Sequence, residues 1–212
     1  MAGNGELSLT KRVTTDYVQA FESLLRQIDA QEIGRIVQYL RNAGDRGSTI
    51  YIAGNGGSAA TASHWVNDLG KATKSSGEMP LRVLSLSDNV SWLTALANDE
   101  GYDRVFAGQL ENFARQGDVL IVISASGNSP NLLEAVELAR RQGMFTIGFL
   151  GFDGGALKHK VDDYLWFRTE KGAYGLVESG HSLLCHIVTT CLMQPQPAAS
   201  QKIGQHQPAQ AG

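Results

Sequence analysis

No apolar run in this 212-residue chain reaches the roughly 18–20 residues needed to span a bilayer, so no membrane-embedded segment is expected. The opening MAGNGELSLTKRV lacks the apolar stretch of a secretion signal, which makes the cytoplasm the expected compartment. A basic excess is also missing. Lys and Arg number 18 against 21 Asp and Glu, a net charge of −3, so no nucleic-acid surface is expected. Cysteine is scarce: Cys185 and Cys191 fall in an apolar segment read as helix. Six residues of helix rise about 9 Å, beyond the Cα reach of a disulfide, about 7 Å at most. Both are expected as buried, reduced thiols. What remains is 42% hydrophobic and 18% charged, a globular composition with room for one sizeable domain and an extra arm.

Residues 1–10 read as frayed. From Val13 to Ala43 apolar residues recur at helical spacing (Val13, Tyr17, Phe21, Leu24, Ile28, Ile33, Ile36, Val37, Leu40), one long helix or two broken near Asp29–Gln31. The pattern then changes to short apolar runs alternating with helical segments. Strands are expected at Thr49–Ala53, Leu81–Leu86, Val119–Ile123, Thr146–Leu150 and Tyr164–Phe167. Helices are expected at Ser58–Leu69, Trp92–Ala97, Tyr102–Arg115, Asn131–Gln142 and Val177–Met193. Continuous apolar strands between helices predict a parallel sheet covered on both faces, a three-layer α/β/α fold. The organisation expected is a helical arm over 1–45, the α/β domain over 46–194 and a Gln-, Pro- and Ala-rich disordered tail over 195–212.

Two loops carry the chemistry. Gly54-Asn55-Gly56-Gly57-Ser58 follows the first strand and opens a helix. Its glycines let backbone N–H groups approach an anion at a helix N-terminus. Alone it reads equally as a tight turn, or as the dinucleotide fingerprint through Gly54, Gly56 and Ala59. Ser124-Ala125-Ser126-Gly127-Asn128-Ser129 follows the third strand in the same way and adds three hydroxyls without charge. Helix capping explains one of them, most naturally Ser129. In parallel α/β sheets ligands bind at the carboxyl ends of the strands, where both loops lie. The pair therefore points to a phosphate or similar oxyanion, and a dinucleotide site leaves the serine loop without a role.

Acid–base candidates flank these loops. His64 and Asp68 are four apart on the helix after the glycine loop, hence on one face. Glu178 and His186 share a face of the last helix, with His181 within reach. By residue type such a quartet suits Zn²⁺ or a similar divalent ion, and it also suits a solvated charged face.

The pairing of AGNGGSA with ISASGNS resembles the sugar isomerase (SIS) domain family, and within it the phosphoheptose isomerases, over about residues 10–193. The resemblance implies a SIS-type, flavodoxin-like sheet and aldose–ketose isomerisation of a phosphorylated sugar, sedoheptulose 7-phosphate being favoured. It implies substrate contacts at Asn55, Gly56, Gly57, Ser58, Ser124, Ala125, Ser126 and Ser129, and at an Asn98-Asp99 pair. By the family's H-x-x-x-E and Q-x-x-H-x-x-x-x-H motifs it implies zinc ligation by His64, Asp68, Glu178 and His186, with Asp68 and His186 catalytic and Glu178 also at the substrate. Asp68 stands where the family has Glu and Glu178 where it has Gln, so an arm is shortened and a charge added. The family also implies a homotetramer with sites at subunit interfaces and the helical arm packed between subunits. Residues 88–110 further resemble the DnaA initiator-associating protein, a non-catalytic phosphosugar-binding regulator and the alternative reading.

Overall fold

The computed structural model describes residues 2–75 and 80–195. Apart from Pro195, the tail expected to be disordered lies outside the described residues. Among these residues five parallel strands, β1 (Thr49–Gly54), β2 (Arg82–Ser85), β3 (Val119–Ser124), β4 (Phe145–Leu150) and β5 (Asp163–Trp166), form one sheet in the order β2-β1-β3-β4-β5. Every residue of β1 and β3 is buried, which is why both read as unbroken apolar runs. Their register pairs Ile50 with Val119 and Gly54 with Ile123, so the two strands end side by side.

Among the described residues seven α-helices surround the sheet: α1 (Ala2–Leu25), α2 (Ala30–Asp45), α3 (Gly57–Ser75), α4 (Val90–Asp99), α5 (Ala107–Phe113), α6 (Pro130–Arg141) and α7 (Tyr174–Leu192). Side chains alternate across the sheet. Ile50, Ile52, Ile121 and Ile123 pack with α2, α3 and α7, while Tyr51, Ala53, Leu120 and Val122 pack with α4, α5 and α6. The three-layer expectation holds.

The N-terminal segment is two helices, separated because Asp29 caps α2 and accepts a hydrogen bond from the Gln31 N–H at 2.7 Å. They behave differently. α2 buries Ile33, Ile36, Val37 and Leu40 in the sheet's own core. α1 is exposed along most of its length and seats only Phe21 and Leu24 on that core. Two expectations are corrected. The first ten residues are helical from Ala2 rather than frayed. The Tyr102–Arg115 helix is a 3₁₀ turn over Tyr102–Arg104 followed by α5, because Val105 and Phe106 are both drawn into the core between them.

α3 and α7 lie side by side, tied by the buried Trp65 Nε1–H donating to Thr189 Oγ1 at 3.1 Å. α7 buries Val177, Gly180, His181, Leu184, Cys185 and Val188 at helical spacing. Both cysteines are free, Cys185 buried and Cys191 half-buried. His181 is a core residue. It packs between Phe149 and Phe167, its Nε2 is 3.1 Å from the Leu150 carbonyl, and its Nδ1 has no partner. Burial holds its pKa down at about 4, so it stays neutral in the folded chain.

This carries a pH cost. Below about pH 6.5 the unfolded chain protonates His181 and the folded chain does not, so stability falls until about pH 4, by about 3 kcal/mol in all. Urea unfolding across that range measures it. The loss is expected to be smaller in His181→Gln, and an equal loss in the variant contradicts the assignment.

Candidate active site

The topology creates the site. α3 leaves β1 toward one face of the sheet and α6 leaves β3 toward the other, so the adjacent carboxyl ends of β1 and β3 part and open a crevice. A cleft of about 170 Å³ lies there, lined by Asn55, Ser58, Ser124, Ala125, Ser126, Ser129, Tyr174 and Glu178 among others. The two loops expected to act together thus meet. A second cleft, about 450 Å³, has Arg82, Arg115, Tyr51 and Phe113 in its wall but no carboxylate or histidine.

Each loop is shaped by close backbone packing. Gly54 sits under Ser58, whose carbonyl a side chain at 54 would meet, and Gly56 adopts φ +54. Gly57, the first residue of α3, supports the Glu178 side chain, since a Cβ there would lie 2.5 Å from its carboxylate atoms. In the second loop Ser124 Oγ accepts from the Gly127 N–H (3.0 Å) and Ser126 Oγ from the Asn128 N–H (3.3 Å), leaving both hydroxyl protons to donate. Ser129 occupies the cap position of α6, as expected, yet its side chain makes no cap bond. The hydroxyl that capping best explained therefore has no capping role.

Sequence reasoning missed what holds the serine loop in place. Gly151-Phe152-Asp153-Gly154-Gly155, after β4, lies directly against it. The Leu157 N–H donates to the Gly127 carbonyl (2.9 Å) and the Ala156 N–H to Asn128 Oδ1 (2.9 Å). Phe152, at φ +48, is buried with Ala125 and Val177, joining the loop to α7. A third glycine-rich turn at a strand's carboxyl end was the available signal. Asn131 and Tyr102 were missed too. Both hydrogen-bond Asn55, and neither residue type announces such a role.

The acid–base groups divide into two places. His64 and Asp68 on α3 meet His186 on α7. The two Nε2 atoms are 3.0 Å apart, and Asp68 Oδ2 is 3.1 Å from His64 Nε2 and 3.6 Å from His186 Nε2. Three donor atoms converge on one point, the arrangement a divalent cation needs, with nitrogen and carboxylate donors of the kind Zn²⁺ accepts. The residues present fit a metal. Glu178, expected as a fourth ligand, is not in this group. Its carboxylate lies over Gly57 in the loop cleft, because eight residues of α7 separate it from His186 by about 12 Å of rise. Asn98 and Asp99, expected at the substrate, sit exposed at the end of α4, Asn98 Nδ2 donating to Asp99 Oδ1 at 2.7 Å, and neither lines the cleft.

The sequence profile of the SIS domain family matches residues 16–151. A probable phosphoheptose isomerase from Thermoplasma acidophilum is 37% identical over 162 residues, 76% of this chain and 87% of that relative. A phosphoheptose isomerase from Fusobacterium nucleatum is 36% identical over 179 residues, 82% and 90% of the two chains. The chain belongs to the SIS domain family, among the phosphoheptose isomerases. The solved phosphoheptose isomerase from Neisseria gonorrhoeae superposes on this SIS fold with a TM-score of 0.77 at 30% identity, covering 87% of this chain and 98% of its own.

The serine loop's packing gives a direct test. A Cβ at Gly127 (φ +64) would overlap the Gly154 carbonyl, and backbone cannot move aside cheaply. Gly127→Ala is expected to lower stability by roughly 2 kcal/mol or more in urea unfolding. An unchanged unfolding midpoint would show that the brace is not tight.

Proposed function

We propose that this SIS protein is an aldose–ketose isomerase of phosphorylated sugars, acting on sedoheptulose 7-phosphate, with the phosphate at the two loops and the reacting carbons at His64, Asp68 and His186. The observation that carries the reading is the convergence of those three side chains beside a phosphate-type cleft built on the same two helices. Their separation supports a long sugar. From Gly57 to His64 α3 rises about 10 Å, and from Glu178 to His186 α7 rises about 12 Å. An extended heptose 7-phosphate spans about 10 Å from phosphorus to C1, at roughly 1.25 Å per bond along its axis for bonds of about 1.5 Å.

In this mechanism the serine hydroxyls and the amides at the α3 and α6 N-termini hold the phosphate. They supply binding energy remote from the reacting carbons. Asn55, Gly56, Gly57, Ser58, Ala125 and Glu178 surround the sugar, the Glu178 carboxylate accepting from its hydroxyls. One of Asp68 and His186 takes a proton from C1, beside the carbonyl, giving an enediolate, and the other returns a proton to C2 while the hydroxyl proton passes from O1 to O2, leaving the aldehyde at C1. His64, Asp68 and His186 would hold a divalent ion, zinc by donor chemistry, which polarises the substrate's carbonyl and hydroxyl oxygens when bound.

We further propose a homotetramer in which a neighbouring copy completes the site. Leu7 is 70% exposed and Val13, Tyr17 and Val18 are also exposed along α1, an apolar surface that the described residues of one chain leave largely uncovered. His64 and His186 are likewise half exposed, which leaves room for a covering subunit. The non-catalytic regulator is not favoured, since His64, Asp68 and His186 are all present and assembled.

Two measurements test the reading. Purified protein with a divalent metal is expected to convert sedoheptulose 7-phosphate to the aldose phosphate. Asp68→Ala and His186→Ala are expected to lose about a hundredfold or more of kcat. Full activity in both variants removes the assignment. Elemental analysis is expected to give one metal per chain in the wild type and far less in His64→Ala. Absence of bound metal from the wild type after loading would contradict the three-ligand site.

A further inference from the structure

An asparagine amide offers one oxygen with two acceptor sites and one nitrogen with two N–H donors. At Asn55, in the glycine loop, three of these four capacities are taken. Its Oδ1 accepts from Asn131 Nδ2 at 2.9 Å and from the Tyr102 hydroxyl at 3.0 Å, and its Nδ2 donates to Asn131 Oδ1 at 3.0 Å. One N–H remains, on a side chain that lines the loop cleft. Toward the cleft Asn55 can therefore only donate. Glu178, also in the cleft's lining, carries a carboxylate that when ionised can only accept.

The two partners come from separate parts of the chain. Asn131 is in the first turn of α6, two residues beyond Ser129, and only 1% exposed. It belongs to the serine-loop side of the crevice, so its reciprocal amide pair with Asn55 bridges the two loops where α3 and α6 leave on opposite faces. Tyr102 stands after α4, next to Gly101, whose φ of +99 turns the chain back toward the glycine loop. It is 61% exposed, so its ring contributes little to the core and its hydroxyl is its main contact with the site.

We propose that Asn131 and Tyr102 are positioning residues for sugar-phosphate binding: their two donors converge on Asn55 Oδ1 and fix the side chain so that its free N–H faces the ligand's oxygens. The inference rests on the reading of the two loops as a sugar-phosphate site and adds the element that keeps them in register. Both residues hold Asn55 Oδ1, Asn131 also pairing with its Nδ2, so their contributions are coupled rather than independent.

The test is a double-mutant cycle with Tyr102→Phe, Asn131→Ala and the double variant. The readouts are calorimetric affinity for sedoheptulose 7-phosphate, KM, kcat and the unfolding midpoint. Each single variant is expected to weaken binding and raise KM by about three- to tenfold, with kcat within about twofold, the size of one lost hydrogen bond. The double variant is expected to fall clearly short of the product of the two effects. Because Asn131 is buried its truncation can cost stability. Tyr102→Phe removes one exposed hydroxyl, is expected to leave the unfolding midpoint unchanged, and decides the matter alone if Asn131→Ala fails to fold. Unchanged affinity and KM in Tyr102→Phe, or effects that multiply in full, overturn the proposal while leaving the loop assignment intact. Wild-type protein that binds no sugar phosphate overturns both.

Discussion

The site depends on one constraint of chain direction. β1 and β3 are neighbours in the sheet, yet the helices that follow them must cover opposite faces. The loops between strand and helix cannot pack on each other, so they diverge and leave a crevice at the carboxyl ends. Two helix N-termini lie at that crevice, and their dipoles suit an anion before any side chain is considered. Glycine in the first loop and serine in the second follow from that geometry. The first lets the backbone come close, and the second adds neutral donors that do not compete with the amides.

A crevice made by divergence needs to be held at a fixed width, and three contacts do this. The turn after β4 lies against the serine loop and bonds the Gly127 carbonyl. The Asn55–Asn131 amide pair spans the gap from one loop to the first turn after the other. On the third side α7 closes the site, carrying Glu178 to the cleft and His186 to the α3 histidine. Its distance from α3 is set in the core by Trp65 and Thr189. His181, three residues after Glu178, is anchored to the end of β4 rather than exposed to the site. The loop cleft and the His64–Asp68–His186 cluster are thus separate places along one pair of helices.

Much of this was legible in the sequence. Strands buried on both faces read as unbroken apolar runs, so β1, β3 and β4, and the loops that end β1 and β3, could be located to within a residue or two. The family resemblance followed from those loops. What stayed hidden depended on direction and contact. Apolar periodicity continues through Val105, Phe106 and Leu110, so nothing marked the break between the 3₁₀ turn and α5. Helical spacing puts Glu178 and His186 on a common face but does not reveal that Glu178 is held over Gly57. Ser129 has the right identity and place for a cap, and only the folded structure shows that its side chain makes no cap bond. Asn131 and Tyr102 are ordinary residues in sequence and acquire meaning through a partner about 76 and 47 positions away, as their hydrogen bonds record.

A crystal structure of the metal-loaded protein soaked with sedoheptulose 7-phosphate tests the central claim most directly. The account predicts the phosphate between the two loops, within hydrogen-bond distance of Ser124, Ser126 and Ser129, with C1 and C2 beside His64, Asp68 and His186. A phosphate seated instead between Arg82 and Arg115, or a sugar whose reacting carbons point away from His186, would contradict it.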